Sequence, residues 1–131
     1  MLLLILCAGI FCFAAPETTL RGKLIQREGK KAALELTAGR LVALDGDQET
    51  VGVLNDKRIR GAELEVTGHL TAPDQFIIDP YTSKGAMFLH KNGKKYTISY
   101  WCPVCSIRTY TPGRCMCCQQ ETNLDLQEVQ P

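Results

Sequence analysis

The chain of 131 residues has almost no net charge: 15 basic residues face 14 acidic ones, leaving +1. That balance offers no electrostatic footprint for DNA or RNA, so nucleic acid is not an expected partner. Histidine is scarce, with only His69 and His90. There is no HExxH, no glycine-rich phosphate loop and no Ser-His-Asp-like signature, so the sequence presents no catalytic constellation and points away from an enzyme. The carboxylates Asp45, Asp47 and Glu49 lack the central glycine and later glutamate of a calcium loop at EF-hand spacing. No apolar run reaches the roughly 20 residues that cross a bilayer comfortably.

Charge is also missing from Met1 to Ala15, MLLLILCAGIFCFAA, which ends in small residues before Pro16. The segment reads as the apolar and cleavage regions of a secretory signal, without the usual positive leading residues. Residues 1–15 are therefore expected to be a signal peptide. The mature chain is expected to be exported, periplasmic or extracellular, with no stable membrane span after signal removal. Cys7 and Cys12 follow Leu6 and Phe11, not the small residues that normally precede a lipid-attachment cysteine.

Apolar residues make up 45% of the chain, enough for a packed core. From residue 18 to 80 the pattern is short, alternating and turn-rich. Strands are expected at Leu20 to Ile25, Ala32 to Thr37, Leu41 to Leu44, Thr50 to Leu54, Ala62 to Leu70 and Phe76 to Ile78. Such spacing suggests a small mainly-β barrel or sandwich. The stretch from Leu41 to Leu70, with Gly61 and Gly68, resembles small OB-fold domains of exported bacterial proteins. The resemblance covers about 60 residues and implies a five-stranded, partly open OB-like barrel, a fold that often binds ligands on one face.

Pro80 to Gly85 reads as a linker. Met87 to His90 and Tyr96 to Tyr100 then read as a β-hairpin around Lys91-Asn92-Gly93-Lys94, because Asn-Gly tolerates the positive φ of a tight turn. Alternation sends Tyr96, Ile98 and Tyr100 one way and Thr97, Ser99 and Trp101 the other. The aromatics Tyr96, Tyr100 and Trp101 either pack the hairpin or face a protein partner of the C-terminal lobe. Residues 86–120 form the expected hairpin-plus-metal module, and residues 121–131 a polar tail.

Five cysteines lie between Cys102 and Cys118. A disulfide framework normally spreads an even number of cysteines along the chain, so clustering and an odd count favour a metal. Two CxxC pairs, Cys102-Pro-Val-Cys105 and Cys115-Met-Cys-Cys118, can face one another and complete a thiolate tetrahedron, the arrangement Zn2+ prefers. Pro112-Gly113 returns the chain to the first pair. Cys117 is the spare: a substitute for Cys118, a small buried residue, an exchangeable ligand or a reactive thiol. Between Lys84 and Arg114 there are six basic residues and no acidic one. Of these, Arg108 and Arg114 lie between the ligands and are candidates to offset the thiolate charge. His69 and His90 read better as surface histidines than as ligands.

Tyr100-x-Cys102-Pro103-x-Cys105, then Pro112-Gly113-x-Cys115-x-x-Cys118, resembles the short heavy-metal-binding domain of bacterial metal-transport proteins. The match covers about 20 residues and implies metal binding. Cys105 stands where that pattern has histidine, which moves the site towards a zinc ribbon. Gln119-Gln120 replaces Gly-Met, which counts against softer metals such as copper. The combined expectation is an exported, non-enzymatic binding or interaction module with a zinc-ribbon-like site. The alternatives are a metal buffer or chaperone for zinc or copper, and a thiol-disulfide protein cycling Cys102 and Cys105.

Overall fold

The computed structural model describes residues 16–131. The expected signal peptide, with Cys7 and Cys12, lies outside the described residues. Among the described residues, no helix is long and apolar enough to cross a membrane.

Strands β1 (Thr18–Ile25), β2 (Ala33–Glu35) and β3 (Leu41–Asp45) form an antiparallel meander. Helix α1 (Gln48–Leu54) follows, then β4 (Glu63–Ala72) and β5 (Gln75–Ile78). β5 runs parallel to β3, and β4 pairs with β1 from Thr18↔Gly68 to Lys23↔Glu63. The order β1-β2-β3-β5-β4 therefore closes on itself. A closed five-stranded barrel with a helix between the third and fourth strands is OB-like, and the protein is mainly β. Leu24, Leu34, Val42, Leu44, Leu64, Val66, Phe76 and Ile78 fill its interior.

The expected strand at Thr50 to Leu54 is instead part of α1. Asp47 caps the helix, its side chain accepting from the Thr50 N–H at 2.8 Å. Such a cap stabilises by about 1 kcal/mol. The buried positions Thr50, Val53 and Leu54 fall at i, i+3 and i+4, a helical spacing that the Val-Gly-Val run masks.

Pro80 to Gly85 differs from expectation as well. It is a short helical turn, α2 (Tyr81–Lys84), ended by Gly85 at φ +59°. Tyr81 is buried, and its hydroxyl donates to the Ile98 carbonyl. The turn lets one edge of β4 serve two partners. β5 takes Gly68 to Ala72 and β6 (Met87–Lys91) takes Glu63 to Val66. At the changeover, the Thr67 N–H donates to the Ala86 carbonyl and the Thr67 carbonyl accepts from the Asp79 N–H. One hydrophobic core thus runs from the barrel through Met87, Leu89, Ile98 and Tyr100.

The hairpin forms at the anticipated turn, Asn92 at φ 53° and Gly93 at φ 75°, and leads into β7 (Lys94–Cys102). β8 (Ile107–Thr109) pairs with the end of β7. The expected polar tail is β9 (Asn123–Glu128), paired with β7 from Trp101↔Asn123 to Tyr96↔Glu128. Leu124 and Leu126 alternate onto the core, which is why so polar a segment is held.

Two glycines test this packing in opposite directions. A methyl at Gly68 would sit 1.9 Å from the Ile77 carbonyl oxygen, whereas one at Gly52 in α1 meets only Pro112, at 4.0 Å. Gly68→Ala should destabilise by about 3 kcal/mol. Gly52→Ala should stabilise by about 0.5–1 kcal/mol. Urea unfolding of both variants checks the pair.

Candidate metal centre

β7 runs out of the core and ends on Cys102, which is 1% exposed. The next residues turn back at once. The Cys105 N–H donates to the Cys102 sulfur at 3.4 Å, and Ser106 takes the left-handed conformation at φ 53°. The second pair closes with a different hydrogen bond but shares the left-handed residue. The Gln119 N–H donates to the Cys115 carbonyl at 2.9 Å, and Gln119, the residue after Cys118, lies at φ 62°. Left-handed backbone is uncommon outside glycine. Its appearance directly after the second cysteine of each pair gives the two turns a common shape.

The turns face each other. The Sγ atoms of Cys102, Cys105, Cys115 and Cys118 all lie within 4.8 Å of one another, and Cys102 Sγ and Cys118 Sγ are 3.5 Å apart. An ion with Zn–S bonds of about 2.3 Å would set tetrahedral sulfurs about 3.8 Å apart, a spacing compatible with these separations. The five described cysteines are unbonded thiols. Cys117 lies outside the group of four and is exposed. Of its open readings, the small buried residue is thereby excluded.

The thiols are unequal. Backbone N–H groups of Cys118 and Cys117 lower Cys115 to about 7. Cys105 is pushed up, chiefly by its contact with the Cys117 thiol, then by burial and by the Cys118 and Cys115 thiols. One thiolate forms readily and discourages its neighbours, a conflict that a cation among them would remove.

Several expected neighbours of the site are engaged elsewhere. Arg108 donates to Asp125 Oδ2 at 2.6 Å and Ser99 Oγ at 2.7 Å, and stacks over the Trp101 ring at 5.0 Å. These contacts tie β7, β8 and β9 together. Arg114, next to Cys115, is exposed, and its backbone forms an isolated β-bridge with Glu121. His90 meets Glu65 at 2.7 Å, and His69 sits on β4 opposite Ile77. Tyr100 is fully buried, and Tyr96 packs partly against the core.

Residues without a recognisable motif fix the site to the barrel. The Tyr100 hydroxyl donates to Asp56 at 2.8 Å. Arg58 donates to the same carboxylate at 3.0 Å, lies over the Tyr100 ring at 5.1 Å and donates to the Thr122 carbonyl at 2.9 Å. Thr122 in turn donates through its hydroxyl and its N–H to the Gly113 carbonyl, at 2.8 and 3.1 Å. The segment from Gly113 to Thr122, which holds Cys115 and Cys118, is thus closed at its base and tied to the barrel. No sequence signal marks Asp56, Arg58 or Thr122, and Thr122 lies 64 residues from Arg58.

No protein-family model, curated protein or solved structure matches this chain.

Burial opposes ionisation of Asp56, but hydrogen bonds from Arg58 and Tyr100 outweigh it and hold its carboxyl below the usual range. Its contribution to stability is therefore complete above the unfolded value of about 3.9 and is lost as pH falls through the lower folded value. Asp56→Asn should cost about 2–3 kcal/mol at neutral pH. The deficit relative to the parent should shrink below about pH 4. Denaturant melts of both proteins across pH measure this.

Proposed function

We propose that this protein is an exported, non-enzymatic binding module. In it a structural zinc ion, held by Cys102, Cys105, Cys115 and Cys118, fixes a C-terminal lobe on an OB-like barrel. The observation that carries the reading is the facing pair of CxxC turns with matching left-handed residues and four mutually close sulfurs. An all-sulfur, four-fold donor set suits zinc better than the harder divalent cations. With four protein ligands the sphere is closed, which fits a structural role and not hydrolysis. Export rests on the uncharged apolar segment at residues 1–15. Val104 and Met116, 65% and 89% exposed at the tips of the two turns, are the surface we assign to a protein partner.

Elemental analysis of protein purified without added metal should find about one zinc per chain. Cys102→Ser and Cys115→Ser should each abolish stoichiometric metal. Because β7 joins both parts, they should also destabilise the barrel, which lower hydrogen-exchange protection at β1 and β4 reads. Absent metal together with few free thiols would defeat the proposal.

A metal-exchange role is favoured by one observation, the exposed Cys117 thiol in contact with Cys105. On that reading Cys117→Ser keeps the metal stoichiometry but slows transfer to a chromogenic chelator by about tenfold. An unchanged transfer rate would leave the metal purely structural. A thiol-disulfide reading through Cys102 and Cys105 has less support, because a buried Cys102 is poorly placed to meet a substrate.

A further inference from the structure

We propose a second binding site, for a small aliphatic phosphate ester, where the β1–β2 turn meets the end of α1. It uses none of the thiol residues. Two adjoining cavities of about 450 and 290 Å³ share Arg27 and Asn55. Arg27, Lys30, Lys31, Lys57 and Arg60 line them, against only Glu28 and Asp45. The local balance is +3 in a chain whose total is +1. Lys31 is bound to Asp45 at 2.5 Å, which leaves Arg27, Lys30, Lys57 and Arg60 facing Glu28.

Like charges brought together in a cavity repel, and nothing in the packing of the barrel calls for this grouping. The backbone around them is nonetheless firmly held. The Gln26 side-chain amide donates to the carbonyls of Leu54 at 2.9 Å and Asp56 at 2.8 Å, pinning the β1–β2 turn to the end of α1. Arg60 is drawn to the same place, its Nε donating to Gln26 Oε1 at 3.3 Å. Arg27 donates one terminal nitrogen to the Lys31 carbonyl at 3.1 Å, while its Nε is buried with no acceptor. That Nε has almost no accessible surface of its own, so an oxyanion in the cavity would meet the terminal nitrogens of Arg27, the geometry in which guanidinium binds phosphate.

The walls narrow the ligand class. Ala32, Leu44, Val51 and Leu54 line the larger cavity beside the cations, so the anion has an apolar body to seat. No aromatic residue lines either cavity, which removes the stacking platform that a nucleobase would use. Four cations lining two cavities that share Arg27 suit a doubly charged phosphate better than a single carboxylate. An aliphatic phosphate ester meets all three conditions.

The test is amide and arginine Nε NMR of the full chain, titrated at about 0.15 M salt with inorganic phosphate, butyl phosphate and butyrate. Saturable shifts confined to residues 26–31 and 54–60 are expected, with butyl phosphate binding more tightly than either other probe. Lys57→Gln and Arg60→Gln should each weaken butyl phosphate by about fivefold, and Lys84→Gln should not. Lys57 is exposed, so its variant keeps the test valid if Arg60→Gln loosens the turn. Non-saturating shifts to about 20 mM, or equal binding by the Lys57 variant, would overturn the site. Tighter butyrate than butyl phosphate would overturn the ligand class. Saturable binding only to phosphatidic acid vesicles would assign the surface to a lipid headgroup and overturn the small soluble ligand.

Discussion

The structure depends on the burial of β7. Ile98 and Tyr100 are fully enclosed in the same core that fills the barrel, and two residues later the strand supplies Cys102. The position of the first sulfur is therefore set by apolar packing and not by any property of the cysteines. Tyr100 adds direction to that packing. Its hydroxyl reaches Asp56 while Arg58 covers its ring, so the strand cannot slide or rotate without breaking a buried, charge-assisted contact. Every later element, β8, the second CxxC turn and β9, is arranged around a strand already fixed.

This explains how two short turns hold four thiols close together without a core of their own. The second turn is closed at its base by Thr122 on Gly113, and Arg58 links that closure to the barrel. The sulfurs are thus brought together by hydrogen bonds outside the group as well as by the turns themselves.

Much of this was legible in the sequence, and the exceptions have physical causes. The barrel strands announce themselves by alternation, the hairpin by Asn92-Gly93, and the grouped thiols by two CxxC spacings. The helix α1 was hidden because Val51 and Val53 are β-branched and flank Gly52, while the feature that decides for helix is a single capping carboxylate, Asp47. β9 was hidden because only Leu124 and Leu126 betray a period of two, and its partner lies more than twenty residues away. α2 looked like a linker because Pro80 and Gly85 flank its four residues, although Tyr81 anchors it. The Asp56–Arg58–Tyr100–Thr122 junction joins three distant stretches, and no local pattern encodes a contact of that kind.

The place of β9 in the chain imposes a schedule on assembly. A polypeptide is made from its N-terminus, and early segments fold as they appear. The barrel strands β1 to β5 are all present once residue 78 has emerged, and their pairings with one another use no later strand. The thiol lobe cannot form so early, because Thr122 and the whole of β9 are among the last residues made. Between those two moments the cysteines belong to an unclosed edge. Their final geometry is therefore a property only of the completed chain.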